Sequence, residues 1–216
     1  MPHTIEKTVY NFDELGTSAK ERARQHYRDM SCSDEWWDSI YEDAIEVANI
    51  LGIEISRRPV KLCGGGTRTE PAIYFSGFSS QGDGACFEGS YSYKKDCAKE
   101  IKEYAPQDAE LLRIAIALQC AQSCAAHGLT ATIKHRGHYN HSGCMEVDVS
   151  MVEVTGNDGV VLEAEEKEIT KCLRDFADWI YKRLEAEHDY LNADKQIDES
   201  IKANDPDFEE DGSLVD

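Results

Sequence analysis

The chain contains no Cys-x-x-Cys pair, no apolar run long enough to span a bilayer and no excess of basic residues. Each absence excludes something. Twenty-three Lys+Arg stand against 42 Asp+Glu, a formal net charge of −19. Attachment to the phosphates of DNA or RNA, or to an anionic membrane surface, needs a cationic face. Neither direct nucleic-acid binding nor membrane binding is therefore expected. The most apolar stretch, 111–126, is broken by Arg113, Gln119, Gln122 and Ser123 and falls short of the ~20 residues of a membrane helix. Residues 1–12 lack the basic and then apolar segments of a secretory signal, so a cytoplasmic, reducing location is expected. The eight cysteines, Cys32, Cys63, Cys86, Cys97, Cys120, Cys124, Cys144 and Cys172, are then thiols, and most of them are small packing residues. Neither the phosphate-binding Gly-x-x-x-x-Gly-Lys-[Ser/Thr] motif nor the nucleophilic Gly-x-Ser-x-Gly motif is present, and no cofactor is expected.

Hydrophobic residues make up 41% of the chain, enough to build a core. Alternation over 4–11 predicts a first strand. Thr17 or Ser18, with Glu21 in capping-box position, starts a helix to about Met30, with Ala19, Ala23, His26, Tyr27 and Met30 on one face. A second helix starts at Ser33 or Asp34 and ends before Gly52. Its apolar stripe is Trp37, Ile40, Tyr41, Ala44, Ala48 and Leu51. Residues 53–62 predict a strand that Pro59 demotes to an edge or a bulge. Segments 72–78 and 85–93 predict a hairpin, and 94–104 a short helix. Pro106 sits where it can open a helix ending at Gly128. That helix is apolar nearly all round and is expected to be central and buried, with Ile116 in the core. Strands follow over 129–134 and 145–154. Ile169, Leu173, Phe176, Ile180 and Leu184 mark one face of a long helix over 163–191. The pattern predicts one α+β domain over 1–191: an antiparallel sheet of about four to six strands packed against several helices. Residues 192–216 carry nine acidic side chains against Lys195 and Lys202, so an acidic, mobile tail is expected.

Three constellations carry candidate chemistry. The first is the segment from Ile73 to Gly89, with glycines at 77, 82, 84 and 89. Asp83 and Glu88 within it, and the absence of Lys or Arg, disfavour a phosphate nest. A hairpin whose glycines supply positive φ is the expected reading. Tyr74, Phe78 and Phe87 either pack inward or form an exposed binding patch. The second is His135, His138, His141 and Cys144 at steps of three, with Cys120, Cys124 and His127 upstream. These are good zinc-ligand types, but the spacing matches no standard finger or ribbon, and polar turn residues with packed thiols are the simpler account. The third is nucleophilic catalysis by Cys86 or Ser79 with His141 or His135 and an Asp. Cys86 has no basic neighbour in sequence to lower its pKa.

Three stretches together resemble a family of phage and prophage proteins, some of which bear the label antitoxin of a toxin–antitoxin stability system. They are Tyr10-Asn11-Phe12-Asp13-Glu14-Leu15 with 19–24, then Ile73-Tyr74-Phe75-Ser76-Gly77-Phe78 with 81–89, and His138-Tyr139-Asn140-His141-Ser142-Gly143-Cys144-Met145. The resemblance implies a phage or mobile-element origin and brings no catalytic residues with it. Together with the charge, it leads to the expectation of a non-enzymatic acidic inhibitor in the host cytoplasm. Its partner would be a protein with a basic surface, a host defence complex or a toxin. Carboxylates along a rigid helix would imitate the phosphates of DNA. The residues expected to meet the partner are Asp34, Glu35, Asp38, Glu42, Asp43 and Glu46, with Tyr74, Phe78, Asp83 and Phe87 as a second patch. The alternative is a small metal-binding or cysteine-dependent enzyme centred on Cys86 and the 135–141 loop.

Overall fold

The computed structural model describes residues 7–31, 35–62, 64–125, 128–151 and 163–215. The chain divides into two compact units, 1–36 with 186–216 and 37–185.

In the first unit a short 3-10 turn, Phe12–Glu14, leads into helix α1, Thr17–Ser31. Ala19, Ala23 and Tyr27 recur every four residues, so they form one stripe, and all three are buried. His26 and Met30, expected on that stripe, are exposed. The segment expected to be a mobile tail instead forms a helix, α6 (Asp194–Asn204), followed by an end that turns at 210–212 and folds back, Phe208 bridging Leu214. Ile197, Ile201 and Phe208 join Phe12, Leu15 and the α1 stripe in one apolar cluster. The net charge of the segment hid these apolar residues. Its carboxylates are in part consumed by arginines of α1. Arg24 donates two hydrogen bonds to Asp198, at 2.7 and 2.9 Å, and Arg28 pairs with Asp194. Tyr10 and Phe208 exchange two backbone hydrogen bonds of 2.9 Å each. Residues 4–6 of the expected first strand lie outside the described residues, and Tyr10 forms an isolated bridge.

The second unit contains α2 (Asp38–Leu51), α3 (Cys97–Tyr104), α4 (Ala109–Cys124) and most of α5 (Glu163–Asn192), whose last turns belong to the first unit. Its main sheet is antiparallel, built from β1 (Ile53–Ile55), β6 (Gly89–Ser92), β7 (Leu129–His135) and β8 (Met145–Met151) in that order. Ile53, Tyr91, Ala131 and Val149 face one another across the four strands, and all four are buried. Two hairpins flank it: β2 (Arg57–Lys61) with β3 (Thr67–Pro71), and β4 (Ile73–Phe75) with β5 (Ala85–Phe87). The single strand expected over 53–62 is thus two strands in different sheets. The 152–154 end of the last expected strand lies outside the described residues.

Helix α4 begins at N-cap Asp108, whose carboxylate accepts from the Leu111 N–H at 2.9 Å. Pro106 lies two residues ahead of that cap. The helix buries Leu111, Ile114, Ala115, Leu118, Ala121 and Gln122, whereas Ile116, expected in the core, is 48% exposed. Residues 114, 115 and 118 share a stripe that 116 does not. Gln122 is the one buried polar side chain among the described residues. It donates to the Leu129 carbonyl at 2.7 Å and to the Tyr91 hydroxyl at 3.2 Å, and accepts from the Leu129 N–H at 3.1 Å. It ties α4 to β6 and β7 with no polar atom stranded.

Candidate functional site

Helix α2 positions the acidic row. Its buried face (Ile40, Tyr41, Ala44, Val47, Ala48 and Leu51) fixes its rotation, and Gly52 ends it at φ 84°, where a Cβ would stand 2.2 Å from the Ser92 carbonyl oxygen. Asp38, Glu42 and Glu46 therefore fall on the opposite face, one per turn, and all three are exposed. Steps of four along a helix space them by ~6 Å. None of the three forms an ion pair with another described residue. Two guanidiniums stand at the N-terminal end of the row: Asp38 and Glu42 share a cleft of about 240 Å³ with Arg57, Arg68 and Glu70, and Glu70 pairs with Arg68. Asp43 is turned away from the row, half-buried, and accepts a 2.6 Å hydrogen bond from the Tyr104 hydroxyl. That bond, aided by burial and by the charges of Asp43 and Glu46, pushes the Tyr104 phenol up to about 12. Glu35 is exposed and precedes the helix. Asp34 lies outside the described residues.

The second expected patch is not an open surface. Phe87 is fully buried and meets Phe176 edge-on at 5.6 Å. Phe78 is half-buried between Phe75 and Tyr181, with ring centroids at 6.0 and 5.4 Å. Tyr74 is half-buried, with the Arg58 guanidinium 4.5 Å above its ring and the His135 ring 5.1 Å away. Burial and then the Glu88 charge raise its phenol pKa. The Asp83 carboxylate closes its own loop, accepting from the Ser79 and Ser80 N–H groups at 2.9 and 2.6 Å. Those two bonds lower its pKa. These four residues organise the Gly-rich hairpin, which leaves α2 as the expected surface that faces solvent.

The glycines of that hairpin serve close approach, since none of Gly77, Gly82, Gly84 and Gly89 has positive φ. A Cβ on Gly84 would lie 2.5 Å from the Cβ of His141, and one on Gly82 would lie 2.9 Å from the Tyr139 ring. The two segments quoted for the resemblance thus pack against each other, and the Asn140 side-chain amide donates to the Phe75 carbonyl at 3.1 Å.

The histidine run does not converge. His135 Nε2 lies 3.0 Å from the Tyr139 carbonyl oxygen, and His141 Nε2 lies 3.5 Å from Cys144 Sγ. Cys120 and Cys124 are exposed on α4, and His127 lies outside the described residues. No three His, Cys, Asp or Glu side chains are grouped to hold a metal ion among the described residues. Cys86 is fully buried, and burial, with smaller contributions from Cys144 and Glu88, pushes its thiol up to about 12. A nucleophilic cysteine needs the opposite shift.

A larger cleft, about 740 Å³, opens between α2, the α3–α4 turn and α5. Val47, Leu111 and Trp179 lie deep in it. Tyr104, Asp43, Glu110 and Arg183 also line it. The Trp179 indole N–H donates to Asp108 at 2.8 Å, and Arg183 lies 6.0 Å from the indole centroid. No spacing within the chain signals this grouping, because its residues come from three helices far apart in sequence.

Residues 36–194 match the domain of unknown function DUF8835, and the chain belongs to that family. The match begins just ahead of α2 and takes in the acidic row, the Gly-rich hairpin, the 135–144 loop and the large cleft. No curated protein and no solved structure matches the chain. No helix among the described residues is long and apolar enough to cross a membrane.

Proposed function

We propose that this protein is an acidic, non-enzymatic inhibitor of phage or prophage type that binds a protein partner through a basic surface on that partner. The partner is a host defence complex, of the kind countered by anti-CRISPR or anti-restriction proteins, or a toxin that it neutralises as an antitoxin, and binding takes place in the host cytoplasm. The observation that supports this reading is the exposed row Asp38, Glu42 and Glu46 on a helix whose rotation is fixed by its buried face. Carboxylates held at ~6 Å steps present a line of negative charge that a nucleic-acid channel would accept in place of phosphates. The cost of ordering such a line is already met by the fold, so its charge acts on association rate and register.

The test is affinity capture from host lysate with the wild type and with a variant carrying Asp38→Lys, Glu42→Lys and Glu46→Lys. The variant should keep the wild-type circular dichroism, because all three sites face solvent. A partner retained by the wild type should be lost by the variant. It should also elute as salt rises through the physiological range, where screening acts over ~8–10 Å. A partner held equally by both proteins, or held without regard to salt, refutes this surface.

A further inference from the structure

We propose that the cleft between α2, the α3–α4 turn and α5 is a receptor for an arginine side chain of a basic protein partner. This inference rests on the reading of the protein as a binder of basic surfaces, and it names a second point of attachment on the same unit, next to the Glu46 end of the row.

The cleft combines two things that an arginine needs. Val47 and Leu111, 0 and 1% exposed, close the floor, while Tyr104, Ala105 and Pro106 show apolar surface along the opening, against which an aliphatic stem leaves water. Tyr104, 45% exposed, offers a ring face at the opening, and a guanidinium stacks on such a ring while keeping its edge free for hydrogen bonds. The acceptor at that edge is Asp43. One of its oxygens takes the Tyr104 hydroxyl, and the other accepts no hydrogen bond from a described residue. Glu46 stands one turn further along α2 and adds a second negative charge near Tyr104.

The cleft already holds one cation of this class. Arg183 lies over the Trp179 indole and forms no ion pair with a described residue. Its position shows that an aromatic wall here accommodates a guanidinium. Even with Arg183 counted, the lining carries Asp43, Asp108 and Glu110 against that single cation. Glu110 is bound by Arg113 and Asp108 is bound by the α4 N-terminus and Trp179, which leaves Asp43 as the acceptor for a guest. An anionic guest would meet this carboxylate, and a neutral apolar one would cover its second oxygen without supplying a donor. Volume does not restrict entry, since about 740 Å³ exceeds one side chain.

The test is nitrogen–proton correlation NMR on the labelled full chain, with the capped tripeptide acetyl-Gly-Arg-Gly-amide as probe. The same tripeptide with citrulline, which keeps the shape and loses the charge, is the control. Titration to ~10 mM fills most of a millimolar site. The arginine probe should move the Trp179 indole resonance and the amides of 104–111 in a saturable way, and the citrulline probe should not. Asp43→Asn and Tyr104→Ala should each weaken the response about fivefold or more. Asp43→Asn keeps the side-chain volume, so it remains informative if Tyr104→Ala perturbs the fold. Asp38→Lys with Glu42→Lys should leave the response unchanged. Equal shifts with citrulline, shifts confined to other residues, or no shift overturn the cleft proposal. That failure is distinguishable from failure of the acidic row, because lysate capture by the wild type and its loss in the Asp38→Lys, Glu42→Lys variant, which leaves Glu46 beside the cleft intact, are measured independently of the tripeptide.

Discussion

Phe208→Ala is the sharpest test of how the C-terminal segment is held. Phe208 is fully buried in the cluster built by α1, α6 and Phe12, and its ring lies 6.2 Å from that of Phe12. Replacing a buried phenylalanine by alanine costs ~3–5 kcal/mol, from lost burial and from the cavity left behind. The two backbone hydrogen bonds to Tyr10 survive this substitution, so it reports on packing alone. Deleting residues 205–216 removes those bonds and Leu214 as well, and should cost more than Phe208→Ala. A loss of this size is a large fraction of the ~5–15 kcal/mol that holds an ordinary domain. Urea unfolding followed by circular dichroism gives the magnitude, and amide hydrogen exchange gives the place. The protected amides around Ala23, Tyr27, Ile197 and Ile201 should exchange faster in the variant. Unchanged protection there, with a loss below ~1 kcal/mol, would show that the segment is not packed as described.

Three further outcomes follow from burial and pairing. Ile116→Ala should change stability by no more than ~0.5 kcal/mol, because Ile116 is 48% exposed, while Ile114→Ala two residues earlier should cost ~2–5 kcal/mol; chemical denaturation of the pair checks the rotation of α4. Gln122→Leu strands both the N–H and the carbonyl of Leu129 at ~1–3 kcal/mol for each unpaired group, so the melting temperature should fall although the replacement is more apolar. Cys86, its thiol pushed up to about 12 by burial, should resist iodoacetamide at every pH up to ~9 until the protein unfolds, since alkylation requires the thiolate; Cys120 and Cys124, exposed on α4, should label before it by mass spectrometry, and early labelling of Cys86 would contradict its burial.

Local periodicity determined most of the helices and their buried faces. The Ala19–Ala23–Tyr27 stripe, the spacing of Ile169, Leu173, Phe176, Ile180 and Leu184, and the stop at Gly52 are each set by neighbours within a few turns, so the sequence alone reveals them. The exposed row on α2 was legible for the same reason: a helix with a defined apolar stripe has a defined opposite face. Charge misled where apolar residues are sparse. Residues 192–216 read as a solvated acidic tail, yet Ile197, Ile201 and Phe208 are buried, because α1 supplies both the apolar stripe and the arginines that receive them. Only the tertiary structure could show this, since α1 and α6 are separated by most of the chain. The same holds for Ile116. A helix apolar on several faces does not say which face meets the sheet, and here the Gln122 bonds to Tyr91 and Leu129 accompany the choice. The glycines of the 77–89 segment were visible in the sequence, but their reason was not, because His141 and Tyr139 approach from a loop more than fifty residues away. The cleft of Tyr104, Asp43 and Trp179 is the extreme case. Its chemistry exists only where three helices meet, and no periodicity within any one of them encodes that meeting.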